Sequence, residues 1–277
     1  MTSPDPLAPA LGAREATEIR IESLRVGYGA APIVRGIDLD VPTGSVTAIV
    51  GANGCGKSTL LKTIARVLAP DEGRVLLDGE SVHAMPTRRV ARTLGLLPQS
   101  SSVPEQLTVR ELVERGRFPH RGVFRPWTGD DRSSVAAALE ETGMVELADR
   151  PVDELSGGQR QRAWIAMVLA QETPVLLLDE PTTYLDLAHR LDILRLLRRL
   201  NRDRAVTVVM VLHDLVEASR YSDHIIAIRD GAIHASGRPA DVITPDTVAA
   251  VFGVECLTIP DPVSGSPIVV PIDPDVV

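Results

Sequence analysis

The residues Gly51-Ala52-Asn53-Gly54-Cys55-Gly56-Lys57-Ser58 have the composition and spacing of a loop that wraps phosphate. Glycines at such positions let successive backbone N–H groups converge on one set of oxygens, at the positive end of the helix that Thr59 enters. Lys57 supplies a compact cation for β- and γ-phosphates, and the hydroxyl of Ser58 suits Mg²⁺. The planar fork of an arginine fits that cradle poorly. The chain has 29 basic residues, of which only Lys57 and Lys62 are lysine. Cys55 lies inside the loop, so its thiol is expected to react with N-ethylmaleimide and to be protected by bound ATP.

A second cluster follows the apolar run Val175-Leu176-Leu177-Leu178, which ends in Asp179-Glu180. Ligands gather where parallel strands end, so Asp179 suits a Mg²⁺ shell and Glu180 a water attacking the γ-phosphate. The plainer reading is a buried strand capped by two acids. Leu155-Ser156-Gly157-Gly158-Gln159 places an N-capping serine and open backbone donors at a helix start, as any capped helix does. His213 closes the apolar stretch Val206 to Leu212, and a single histidine there is more often structural. Tyr28, the only aromatic residue before Phe118, fits either a packed strand end or a stacking platform.

These residues need a scaffold, and hydrophobic periodicity outlines one. Ile19 to Val26 and Ile33 to Val41 alternate as antiparallel strands, and Val46 to Val50 reads as a buried strand. Thr59 to Val67 is helical; Val75 to Leu77, Leu94 to Leu97 and Val175 to Leu178 are extended, implying a largely parallel sheet. Strands vanish between Pro98 and Asp153, where Val109 to Arg115 and Arg132 to Thr142 have helical spacing. Leu187, Leu191, Leu194, Leu197 and Leu200 form an apolar stripe that core packing explains. Strands return at Val206 to Val211 and Ile225 to Ile228, followed by a helix near Thr247 and extended stretches at Val254 to Ile259 and Ile268 to Val270.

At 277 residues the chain is long enough for a substantial core, and its net charge of -8 opposes nonspecific nucleic-acid binding. Apolar runs such as Val208 to Leu212 fall far short of the ~20 residues that span a bilayer. Residues 1–17 lack a basic start and apolar core, so they are expected to form a flexible cytoplasmic tail rather than a secretory signal. Two cysteines, Cys55 and Cys256, exclude a disulfide framework or a four-thiolate metal site within the chain.

The phosphate loop, Leu155 to Gln159, Asp179-Glu180 and His213 occur in the order and spacing of the ABC ATPase family, which the chain resembles over almost everything beyond residue 18. The expected fold class is therefore α/β: a P-loop NTPase core with an antiparallel β subdomain and an α-helical subdomain inserted at about residues 100–155. The resemblance implies ATP and Mg²⁺ as cofactors and a homodimer, in which Ser156, Gly157, Gly158 and Gln159 of one subunit bind the γ-phosphate held by the other. It further implies that Tyr28 stacks on adenine, Gln99 senses Mg²⁺, His213 contacts the γ-phosphate and Asp186 belongs to a cross-dimer loop.

Arg115-Gly-Arg117-Phe118-Pro-His120, the segment Glu180 to Asp186 with Ala188-His189, Val211 to Leu215 and the tail Asp261 to Pro271 resemble the importer branch for ferric siderophores, haem and cobalamin, with ferric siderophores favoured. Such a subunit works at the cytoplasmic face of the plasma membrane beside an integral permease, and meets the substrate-binding protein only indirectly. Arg115, Arg117, His120, Arg121 and Arg125 form a basic run that is either a solvated face or a permease contact. A soluble ABC ATPase of DNA repair or translation would co-purify with nucleic acid, and a phosphate-loop kinase would yield a phosphorylated acceptor.

Overall fold

A computed structural model describes residues 17–27, 29, 31–99, 106–121, 126–183 and 185–273. Tyr28, Arg125 and residues 1–16 of the expected tail lie outside the described residues.

In chain order the elements are β1 (Ile19–Gly27), β2 (Pro32–Val41), β3 (Val46–Gly51), α1 (Lys57–Ile64), β4 (Glu72–Leu77), β5 (Glu80–Ser81), α2 (Thr87–Thr93), β6 (Leu94–Leu97), α3 (Val109–Arg115) and α4 (Gly129–Glu141). There follow α5 (Gly157–Ala170), β7 (Val175–Asp179), α6 (Leu187–Arg204), β8 (Thr207–Val211), α7 (Leu215–Tyr221), β9 (His224–Arg229), β10 (Ala232–Gly237), α8 (Pro239–Val242), α9 (Pro245–Phe252), β11 (Cys256–Pro260) and β12 (Pro267–Pro271).

The central sheet has the order β10-β9-β3-β8-β7-β6, parallel throughout except for the antiparallel edge strand β10. Its inner strands are buried on both faces, which explains their unbroken apolar runs. Alternation sends Val46, Ala48 and Val50 of β3 into one core with Leu176, Leu178 and Met210. Ile49 enters the opposite core with Leu177, Val209 and Val211. That second core is closed by α1, through Leu60, Leu61 and Ile64, and by the antiparallel sheet β2-β1-β4-β5.

On the first core's side, α5 packs against α3 and α4. Each of these helices opens with a reciprocal capping box: Thr108 with Glu111, Thr128 with Asp131, and Ser156 with Gln159. Arg117 departs from its expected place on a basic surface. It is 4% exposed, and its guanidinium reaches Asp131 at 3.0 Å, Glu172 at 2.8 Å and the carbonyl of Ala170 at 2.8 Å. Arg115 remains exposed, whereas His120 bonds to the carbonyl of Gln171 and Arg121 sits over the Trp127 ring.

The stripe on α6 is also shorter than expected. Leu194, Leu197 and Leu200 are buried, but Leu187 is 67% exposed, because the first turn of α6 projects beyond the core. Periodicity alone did not identify α2, α7 or β10. The hairpin of β11 and β12 packs on α9 and α7, with Arg220 Nε donating to Asp261 at 2.9 Å. Among the described residues no helix is long and apolar enough to cross a membrane.

Candidate active site

The first cluster forms where β3 ends and α1 begins. Gly51 adopts φ 155°, and a Cβ there would lie 2.3 Å from the carbonyl oxygen of Ile228 and 2.7 Å from Cys55 Sγ, so no side chain fits. Gly56, at φ 106°, is the left-handed residue that turns the loop into α1. Between them Ala52, Asn53 and Gly54 are exposed. Lys57 is 5% exposed and its Nζ donates to Gly51 O at 2.8 Å and Ala52 O at 2.9 Å. An ammonium has three donors, so one remains for an oxyanion. Thr59 is buried, and its carbonyl accepts from the Thr63 hydroxyl within α1.

Strands β7 and β8, adjacent to each other in the sheet, bring the acidic and histidine residues to the same edge. Asp179 is 1% exposed; its Oδ1 accepts from Ser58 Oγ at 2.8 Å, while Oδ2 is buried with no hydrogen-bond partner among the described residues. Burial pushes its carboxyl pKa up, against the opposing pull of Ser58 and the nearby lysines. An unpartnered carboxylate oxygen beside a hydroxyl is a fitting pair of ligands for Mg²⁺, which takes few protein groups and completes its shell with phosphate and water. Among the described residues there is no separate His/Cys/Asp/Glu cluster that competes for a metal.

Glu180 follows at φ 56°, a left-handed conformation that costs a non-glycine residue about 1–3 kcal/mol. Its Oε1 lies 2.6 Å from His213 Nε2 and its Oε2 accepts from Thr183 Oγ1 at 3.0 Å. Burial raises the Glu180 pKa, but hydrogen bonds from His213, Thr183 and Gln99 prevail and hold it below the ordinary value. Gln99, just beyond β6, has its side chain on the same side and adds the smallest share of that lowering. The result is one carboxylate fixed as an acceptor and a second aimed at the hydroxyl that opens α1.

Ser156–Gln159 and Asp186 stand apart from this cluster. Gln159 N donates to Ser156 Oγ at 3.3 Å, Gly157 is exposed, and Gly158 lies so close to His189 that a Cβ would meet its ring at 3.1 Å. Among the described residues no hydrogen bond or ion pair joins Ser156–Gln159 to Lys57, Ser58 or Asp179. Asp186 caps α6, accepting from His189 N at 2.9 Å and lying 2.7 Å from its Nδ1. Those bonds from His189 lower its pKa.

Cys55 does not have the open position that the expected reactivity calls for. Its side chain turns inward against Gly51, is 8% exposed, and burial raises the thiol pKa despite the nearby Lys57. Two supports escaped the sequence reading. Thr183 holds Glu180, and Gly231 N donates to Cys55 O at 3.1 Å, pinning the phosphate loop from the β9–β10 turn. Asp230-Gly231 is a recognisable turn dipeptide, so that support left a signal.

A Gly-rich loop, a buried lysine and two strand-end carboxylates on one edge of a parallel sheet define a nucleotide-binding ATPase cassette. The family model for ABC transporters matches residues 34–183. The chain is 50% identical over 254 residues to the ferric enterobactin transport ATP-binding protein FepC of Escherichia coli K12, covering 92% of this chain and 94% of FepC. It is 51% identical over 253 residues to the probable siderophore transport ATP-binding protein YusV of Bacillus subtilis 168, covering 91% and 92%. An inward-facing ABC transporter described as of metal-chelate type superposes with a TM-score of 0.81 at 28% identity, over 94% of this chain and 100% of that one. This chain belongs to the ABC transporter family of ATP-binding proteins.

Proposed function

We propose that this chain is the ATP-hydrolysing subunit of an importer for ferric siderophores, acting as a homodimer at the cytoplasmic face of the membrane beside a separate permease. The observation that carries the ATPase reading is the convergence of Lys57, Ser58, Asp179, Glu180 and His213 on one sheet edge. The siderophore assignment rests on the likeness to FepC and YusV.

In this reading the exposed N–H groups of residues 52–54 and the third donor of Lys57 bind β- and γ-phosphate oxygens, and Tyr28 stacks on adenine. Ser58 and Asp179, with Gln99 beside them, would hold Mg²⁺, which would supply positive charge to offset that of the phosphates. Glu180 accepts the proton of the water that attacks the γ-phosphorus, the bond to the bridging oxygen breaks, and ADP and phosphate result. His213 holds both Glu180 and the γ-phosphate in register. Each site is completed by Ser156 to Gln159 of the second subunit, and Asp186 lies in the loop that crosses between them.

The test is uptake of a labelled ferric siderophore by cells lacking this chain. Wild-type protein should restore it and Glu180→Gln should not. Unimpaired uptake without the chain, with loss of labelled haem or cobalamin uptake instead, would assign the subunit to a sister importer.

A further inference from the structure

We propose that Arg190 is a positioning residue that couples the two ATP sites, transmitting movement at Asp186 to His213. The inference rests on the ATPase reading above and adds a residue to which that reading gives no role.

Arg190 lies one turn into α6, its backbone N–H donating to Asp186 O at 3.0 Å. It therefore moves rigidly with Asp186, which caps the same helix. Its guanidinium leaves α6 and grips α7: Nη2 lies 2.6 Å from Glu217 Oε1 and 3.2 Å from Asp214 Oδ2. Asp214 is the residue next to His213. Its Oδ1 caps α7 by accepting from Val216 N at 2.9 Å and Glu217 N at 3.1 Å, leaving Oδ2 to Arg190. One carboxylate thus fixes both the start of α7 and its attachment to α6.

Glu217 makes the grip stiff. Its side chain is 9% exposed, and Thr182 Oγ1 approaches its other oxygen at 3.5 Å. A buried carboxylate held by one guanidinium strongly resists separation, because parting them leaves the charge unpaired. Glu180, Thr183, Leu185, Arg190, His213 and Asp214 line a common cavity, so the bridge and the reacting carboxylate share one wall. Among the described residues Arg190 Nε is buried without a partner, a donor still open for an acceptor that closure would bring.

A second subunit that presses on Asp186 therefore turns α6, and Arg190 carries the turn into Asp214 and His213. Hydrolysis in one site becomes sensitive to occupancy of the other.

The experiment measures ATP hydrolysis by the full chain as a function of ATP, for the wild type, Arg190→Lys, Arg190→Gln and Arg190→Gln/Glu217→Gln. The wild type should be cooperative. Arg190→Gln should lose cooperativity and about 10-fold in kcat with little change in KM. Arg190→Lys should retain part of both. The double variant removes the unpaired buried charge and allows an amide–amide bridge, so recovery there attributes the loss to the bridge itself. Unfolding temperature is read in parallel. A non-cooperative wild type, unchanged cooperativity in Arg190→Gln, or a loss that only tracks unfolding temperature and is not recovered in the double variant overturns the coupling role. A wild type that hydrolyses no ATP would instead overturn the ATPase reading and the coupling with it, whereas hydrolysis retained in Glu180→Gln would only remove Glu180 as the base.

Discussion

Two of the three donors of Lys57 close the phosphate loop on its own carbonyls, so this side chain shapes the cradle as well as charging it. Lys57→Ala should reduce nucleotide affinity about 10- to 100-fold, the weight of one lost charge-assisted contact, with only a small change in unfolding temperature. Titration calorimetry with ATP and a thermal melt would check both; wild-type affinity would refute the site. The neighbouring Cys55 carries the opposite expectation from the one its position in the loop first implied. A buried thiol with a raised pKa is a poor nucleophile, so N-ethylmaleimide at neutral pH should leave ATPase activity intact in the wild type, as in Cys55→Ala. Sensitivity in the wild type that disappears in Cys55→Ala would show that the loop opens. Sequence spacing located this thiol but could not give its direction. The inward turn follows from the bare Gly51 against which it packs.

At the scale of elements, the parallel strands and their order around the phosphate loop were legible because burial on both faces leaves unbroken apolar runs. Charged residues inside the helical segment were not. Arg117 sits in a run of basic residues, and its partners, buried Asp131 and half-buried Glu172, lie 14 and 55 positions away, beyond any local pattern. Its guanidinium ties the end of α3 to the first turn of α4 and the last carbonyl of α5, that of Ala170, in the helix whose other end carries Ser156. Arg117→Met should cost about 3–5 kcal/mol, because the removed charge strands a buried carboxylate. The pH dependence has a definite sign. Burial raises the Asp131 pKa, but the Thr128 hydroxyl and N–H and the Arg117 guanidinium outweigh it, and the net shift is downward. Asp131 therefore adds stability that is fully present above its unfolded value, near about 4, and is lost as pH falls through the lower folded value. Removing Arg117 weakens that support, so acid unfolding followed by circular dichroism should begin at a higher pH in Arg117→Met than in the wild type. An unchanged acid midpoint would place the stabilisation elsewhere.

For the whole molecule, the decisive fact is that among the described residues no hydrogen bond or ion pair links Lys57 to Ser156, although the proposed site needs both on one phosphate. The sequence pattern outlined a phosphate loop and a capped helix start, but only the family resemblance implied that the two meet on one phosphate across two subunits. Glu180→Gln tests that meeting. The substitution preserves size and leaves an amide to meet His213 and Thr183, but removes the base for the attacking water. ATP should then bind and persist, and the contacts that hydrolysis dissolves should hold two chains together. Each γ-phosphate stays between Lys57 of one chain and Ser156 to Gly158 of the other. The net charge of -8 on every chain opposes association without nucleotide, and bound Mg-ATP must supply the compensating attraction. Size-exclusion chromatography with light scattering should therefore show a Glu180→Gln dimer with Mg-ATP and a monomer without it, while turnover falls at least about 100-fold. Adding Ser156→Arg should return the protein to a monomer, since Ser156 is exposed at the start of α5 and a long side chain there blocks phosphate without disturbing the core. A Glu180→Gln chain that stays monomeric with Mg-ATP, even beside its permease, would break the link between the exposed α5 terminus and the phosphate loop. Normal turnover there would remove Glu180 as the base.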